Sequence, residues 1–254
     1  MFCTRVMSVN GDPTAIVLGH GLWMNRNSRC GRSAFNEAFR SWIVAATMLP
    51  CIVSAQSNPT AQSKWPDLEL VNTHARNIWG DDVGSGFGSD VQSIDLSLGG
   101  YYGLAKCGSH EAHHMALASL SYGHMLGRAR GEDHWYHGNW EFQLELFGGA
   151  QFNPDLAWIA GLTPHLRYNF ATGACLIPFV DFGAGIAGTE IGSPDLGSEF
   201  QFNEQGGVGA HWFIKRDIAV TFSTFYMHVS NAGIRKPNCG LNGVKGLIGL
   251  TFFF

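Results

Sequence analysis

The residues best suited to chemistry in this chain are a histidine and a serine two positions apart, His228 and Ser230. Serine is a weak nucleophile at its own pKa and needs an adjacent base to take its proton. On one face of a β-strand, residues two apart are separated by roughly 6.5–7 Å at the backbone, so their side chains can meet. Asn242 falls on the matching face of the next predicted strand, where its carbonyl oxygen can accept a hydrogen bond from the imidazole. These three residues predict a serine nucleophile, a histidine base and an amide that orients the base.

The alternation of apolar and polar residues indicates which way these side chains point. Successive side chains in a strand point to opposite faces. Counting back from Phe254, one face is apolar down to Asn242, while the other is mixed and carries Lys245. The run before it places Tyr226, His228 and, by the same parity, Ser230 on one face. If the apolar face contacts lipid and the mixed face fills an interior, all three candidate residues lie on the lipid-facing side.

The elements that must position these residues are eight alternating segments separated by turn formers. They are predicted at 91–104, 115–128, 140–152, 156–170, 176–187, 200–213, 217–228 and 242–254. The pattern predicts an all-β fold, an eight-stranded antiparallel transmembrane β-barrel of outer-membrane type over residues 91–254. With both termini periplasmic, His228 and Ser230 lie at the outer-leaflet end. Eight strands leave an interior filled by side chains, so Glu145, Arg167, Asp181 and Lys245 are expected to pair there.

The composition agrees with a barrel in lipid. Charged residues make up 14% of the chain, against about 25% in soluble domains, and glycine accounts for 33 of 254 residues. The formal net charge is −4 and the chain has no basic cluster to neutralise phosphates. Nucleic-acid binding is therefore excluded as a function class.

The N-terminal part carries the features of an export signal. A 13-residue apolar run at 41–53 follows several arginines and precedes the small residues Ser54 and Ala55. Residues 1–55 are therefore predicted to be an extended signal peptide, whose true start is expected at Met24. Residues 56–90, rich in turn formers, are predicted to be a periplasmic leader with a plug-like turn around Trp79 and Gly80.

Three cysteines, Cys107, Cys175 and Cys239, follow the predicted cleavage site and cannot all pair with one another. The predicted topology puts Cys107 and Cys239 in loops at the same end of the barrel. They could form a disulfide there.

Two short motifs resemble a known family. The core H-V-S-N-A-G at 228–233 ends the penultimate strand, and the loop P-N-C-G-L-N at 237–242 leads into a last strand that ends in phenylalanine. They resemble the signature of the PagL-type lipid A 3-O-deacylases, eight-stranded outer-membrane barrels that hydrolyse the acyl ester at the 3-position of lipid A. The resemblance implies an outer-membrane lipid esterase with lipid A as substrate, outer-membrane lipids as its surroundings and no cofactor or metal.

The resemblance also implies a role for each site residue. His228 matches the general base and Ser230 the nucleophile, while Asn231, Ala232 and Gly233 match the turn that stabilises the oxyanion. Asn242 stands where the family has a glutamate that orients the histidine. A neutral amide can orient an imidazole but cannot stabilise imidazolium as a carboxylate does, so a loss of several powers of ten in rate is plausible.

Two alternatives remain open on the sequence. A catalytically weak or silent barrel with a structural or adhesin-like role predicts that His228 and Ser230 are dispensable. The pattern H-E-x-x-H is met by His110, Glu111 and His114, and on a helix it would indicate a zinc metalloprotease. The sequence leaves acyl-chain preference and oligomeric state open, a homodimer included.

Overall fold

The computed structural model describes residues 77–105 and 109–254. The predicted signal peptide, most of the predicted leader and Cys107, with its predicted disulfide, lie outside these residues. The described residues form eight strands. They are β1 (Gln92–Gly103), β2 (His114–Met125), β3 (Gly138–Asn153), β4 (Ala157–Phe170), β5 (Leu176–Thr189), β6 (Phe200–Phe213), β7 (Ile218–Ser230) and β8 (Leu241–Phe253).

Each strand pairs antiparallel with its neighbour in the sequence, and β1 pairs with β8 to close the barrel. The predicted fold class is therefore confirmed. Every predicted strand end agrees with the structure to within three residues. β2 ends at Met125 rather than 128, and Gly127 just after it has a positive φ of 98°. β7 extends past the predicted end at 228, because Ser230 still pairs with Phe202 on β6.

Side chains on the two faces of the barrel wall differ as the alternation predicts. The outward positions carry large exposed apolar residues such as Leu98, Phe142 and Leu250. The inward positions carry a buried polar network, in which Lys245 Nζ lies 2.8 Å from Glu145 Oε1 and Arg167 Nη2 lies 2.8 Å from Asp181 Oδ2. The prediction that these four charges pair inside the lumen is confirmed. An apolar exterior around a polar interior is the arrangement of a transmembrane barrel.

Aromatic residues close one end of the lumen. Trp79 bridges to Phe87, and their rings stack with centroids 4.7 Å apart. Phe87 in turn stacks on Phe253 at 5.0 Å, and the Trp79 indole donates a hydrogen bond to the Arg216 carbonyl at 2.8 Å. The turn around Trp79 and Gly80 therefore fills the barrel at this end, which we call the turn end because its connections at 126–137, 171–175 and 214–217 lie there.

The opposite end, called the loop end, carries residues 109–113 of the β1–β2 connection and the connections 154–156, 190–199 and 231–240. The last of these joins β7 to β8 and therefore follows the histidine and serine directly. The described residues include no helix that is long and apolar enough to cross a membrane.

Candidate active site on the outer wall

The last hairpin places His228, Ser230 and Asn242 on the outer wall at the loop end. His228 and Ser230 are the third-last and last residues of β7, and His228 is the register partner of Asn242, the second residue of β8. The inward residues Met227 and Val229 are almost fully buried. On the outward face, His228 and Ser230 are partly buried and Asn242 is buried. Period-two alternation thus brings the three predicted residues to one outward patch.

The histidine is held by a hydrogen bond to the amide of its partner. His228 Nδ1 lies 2.7 Å from Asn242 Oδ1, and the Tyr226 hydroxyl donates to the same oxygen at 2.8 Å. An amide oxygen only accepts hydrogen bonds, so Nδ1 carries the hydrogen and Nε2 of the neutral ring is left as the basic atom. The pair of contacts therefore fixes both the tautomer and the direction of the ring.

The other side of the imidazole packs against the loop that precedes β8. Gly240 has a φ of +75°, and a Cβ built on it would lie 2.7 Å from His228 Cε1. Its carbonyl oxygen accepts a hydrogen bond from Ser109 Oγ at 2.7 Å, which fixes the glycine from the β1–β2 loop. Only glycine meets both demands, the positive φ and the close approach to the ring.

Ser230 stands next to the base without being joined to it. Within the described part of the chain, no hydrogen bond links Ser230 Oγ to the His228 ring. The two residues follow one another on the same face of β7, at the strand spacing of roughly 6.5–7 Å. Catalytic hydrogen bonds are often long in proteins without substrate and tighten in the complex. A rotation of the two side chains is therefore needed for proton transfer.

The three residues predicted to stabilise an oxyanion occupy the turn after β7, and two of them bond within it. The buried Asn231 side chain donates to the Arg235 carbonyl at 2.9 Å and accepts from Gly233 N at 3.0 Å. Ala232 has a φ of +53° and is exposed. Its backbone N–H is the donor of the three that has no partner among the described residues.

Asp195 is a buried residue that the sequence analysis did not predict for the site. Its hydrogen bonds join the β1–β2, β5–β6 and β7–β8 loops beside this turn. The Asp195 carboxylate accepts from His113 Nε2 at 2.9 Å, from the ring and backbone of His110 and from Glu111 N. Its backbone carbonyl accepts from Cys239 N at 2.9 Å. Burial raises the pKa of Asp195, but the hydrogen bonds from His113 and His110 outweigh it, so the pKa lies below its usual value.

The H-E-x-x-H pattern does not lie on a helix, as the less favoured metalloprotease alternative requires, because residues 109–113 are irregular and His114 begins β2. The His114 ring stacks on Tyr102 with centroids 4.5 Å apart. His110 instead has potential ligand atoms of Asp195 and Cys239 within 4.8 Å. That group differs from the residues of the H-E-x-x-H pattern and contains no glutamate base.

Sequence reasoning missed the roles of Tyr226, Gly240 and Asp195. Tyr226 could have been found, because it shares the outward face of β7 and lies two residues before His228. Asp195 and Gly240 act across sequence separations of 85 and 131 residues from His110 and Ser109, and no local pattern encodes such contacts.

Comparison with known proteins relates the chain to one family. A family model described as "Lipid A 3-O-deacylase (PagL)" matches residues 116–251, which is more than half of the chain. Lipid A deacylase PagL of Pseudomonas aeruginosa is 35% identical over 81 residues, a segment that covers 31% of this chain and 44% of the relative. The match thus spans less than half of that relative's length.

Two solved structures are similar in fold. The crystal structure of the outer membrane enzyme PagL superposes with a TM-score of 0.48 at 17% identity and covers 62% of this chain and 97% of that one. Neisserial surface protein A superposes with a TM-score of 0.46 at 10% identity and covers 65% of this chain and 97% of that one. On the strength of the family match over residues 116–251, this chain belongs to the lipid A 3-O-deacylase (PagL) family.

Proposed function

We propose that the protein is a serine esterase of the Gram-negative outer membrane that removes the 3-O-linked acyl chain from lipid A in the outer leaflet. The family match supports the reaction class. The observation that carries the proposal for this chain is the hydrogen bond from His228 Nδ1 to Asn242 Oδ1 on the outward face of the wall. It leaves a basic nitrogen beside a serine on the outward, apolar face of the barrel wall.

The reaction follows from the roles of these atoms. Ser230 Oγ attacks the ester carbonyl carbon, and its proton passes to His228 Nε2 while the carbonyl electrons move to the oxygen. Collapse of this intermediate breaks the bond to the sugar oxygen, which takes the proton from His228. Water then attacks the acyl-serine with His228 again as base, and the free fatty acid leaves.

The turn after β7 supplies the oxyanion donors in this proposal. Ala232 N–H is the donor that needs no rearrangement. Asn231 and Gly233 take part once substrate binding releases the hydrogen bonds they make within the turn. Removal of one such donor in a serine hydrolase costs about a hundredfold to a thousandfold in rate.

The experiment that tests the proposal is mass spectrometry of lipid A from cells that express the wild-type chain or Ser230→Ala. We expect the wild type to remove one 3-hydroxyacyl group and Ser230→Ala to remove none at equal amounts of folded barrel. Heat-dependent mobility on gels reports the folded amount. Intact lipid A in both strains, or equal deacylation in both, contradicts the proposal.

A silent barrel with a structural role is the second candidate. It is favoured by the amide at position 242 and by the missing hydrogen bond between Ser230 and His228. In that case, neither the wild type nor Ser230→Ala changes lipid A.

A further inference from the structure

Glu204 is the one Asp, Glu, Lys or Arg side chain at an outward position of the eight described strands. It lies on β6, in a row where the neighbours Phe202 and Val208 are apolar. A charge on the lipid-facing wall of a barrel is unfavourable, and an isolated one in a membrane protein points to function. The carboxylate makes no hydrogen bond or ion pair within the described part of the chain, so barrel stability does not account for it.

The register places this residue beside the base. Glu204 is the direct partner of His228 across the β6–β7 pair, and Asn242 is the partner of His228 on the opposite side. The other cross-strand partner of Glu204 is Ala184, which offers no polar group. Directly opposed residues in an antiparallel pair have Cβ atoms about 4.5–5.5 Å apart. Of these two cross-strand partners, His228 alone is polar.

A negative charge near His228 would stabilise the charged intermediate of the proposed reaction. When His228 takes the serine proton it becomes imidazolium, and Asn242 orients the ring without carrying a charge of its own. An anion a few ångströms away stabilises imidazolium by Coulomb attraction, and the low dielectric of the membrane boundary strengthens that attraction. No hydrogen bond to Glu204 is required for this effect.

We propose that Glu204 is the electrostatic positioning residue of the site, supplying from β6 the negative charge that Asn242 does not provide from β8. This inference rests on the proposed esterase function. Glu204 takes no proton and touches no substrate atom. The proton moves only between Ser230 Oγ and His228 Nε2, and the carboxylate lowers the energy of the charged intermediate.

A double-mutant cycle with the full barrel in detergent micelles tests the proposal, with purified lipid A as substrate. We expect Glu204→Gln to lower kcat at least tenfold with KM changed less than threefold, and Glu204→Asp to restore most of the loss. In the Asn242→Glu background, where a carboxylate is already present, Glu204→Gln should change kcat less than threefold.

The control and the contrary outcomes separate this inference from the proposed function. Glu199→Gln, at an acidic residue of the β5–β6 loop, should leave kcat unchanged. Equal losses from Glu204→Gln in both backgrounds, a change confined to KM, or no loss at all overturn the role of Glu204 while leaving the esterase intact. Inactivity of the wild type and of Asn242→Glu, matching Ser230→Ala, overturns the esterase itself.

Discussion

The imidazole of His228 donates a hydrogen bond of 2.7 Å to the side-chain amide of Asn242 across the last strand pair of the barrel. The same amide oxygen accepts from Tyr226 at 2.8 Å. In the proposed mechanism, Asn242 therefore orients the imidazole without contributing a charge. This relationship allows the amide, the tyrosine and the glycine beyond the ring to be tested separately.

Asn242→Glu should raise kcat for lipid A deacylation by at least tenfold. A carboxylate at this position would accept the same hydrogen bond and also stabilise imidazolium, and loss of such a charge costs about 10⁴-fold in a serine protease. The measurement is initial rate against substrate concentration in micelles. Asn242→Leu is the control, because it removes the acceptor and should lower kcat below the wild type.

Tyr226→Phe should lower kcat about twofold to tenfold, the usual net value of one neutral hydrogen bond. Without the hydroxyl, the Asn242 amide can turn its NH₂ towards His228 and favour the wrong tautomer. Tyr122→Phe is the matched control, because its hydroxyl bonds to Gln92 on the outer wall near the turn end. An equal effect of the two changes would contradict the role given to Tyr226.

Gly240→Ala should lower kcat at least tenfold, because the added Cβ would lie 2.7 Å from His228 Cε1 and push the ring from its place. Gly127→Ala is the control. Gly127, just after β2 at the turn end, also has a positive φ, +98°, but a Cβ there meets nothing within 4 Å. Both variants therefore bear backbone strain, and only Gly240→Ala bears the clash. Turnover measured on equal amounts of folded protein distinguishes them.

Lys245→Met should lower the free energy of unfolding by about 3–5 kcal/mol, because it removes the ammonium group that pairs with the buried Glu145 carboxylate. Lys245 Nζ lies 2.8 and 2.9 Å from the two oxygens of that carboxylate. Urea unfolding in micelles, followed by heat-dependent gel mobility, measures the change. The double variant Lys245→Met with Glu145→Gln should recover most of the loss, and a double variant less stable than the single one would refute the explanation.

The sequence was sufficient for the barrel and for the face on which the candidate site lies. Alternation has a period of two wherever one face is apolar and the other polar, so counting from Phe254 placed His228 and Asn242 outward without any structure. The loop contacts around the site could not be predicted from alternation. Gly240 meets the imidazole only because Ser109 holds it from a distant loop, and Asp195 gathers donors from another connection.

The local pattern at 110–114 shows the opposite limit of sequence reasoning. Its residues match the H-E-x-x-H motif, which binds metal only on a helix, but the alternation that begins at His114 belongs to a strand. The strand prevails because its residues pair along the whole length of β1, from Gln92↔His124 to Tyr102↔His114. A five-residue sequence match is therefore weaker evidence for local structure than strand pairing along nearly all of β1.

The packed lumen has a consequence for how any ligand of the outer wall arrives. Two ion pairs fill the interior, Lys245 with Glu145 and Arg167 with Asp181. Trp79 closes the lumen at the turn end. Nothing can pass through the cylinder to the patch around His228. In the proposed mechanism, substrate therefore reaches His228 by lateral diffusion within the membrane, and turnover should scale with the mole fraction of substrate in the leaflet rather than with its concentration in the surrounding water.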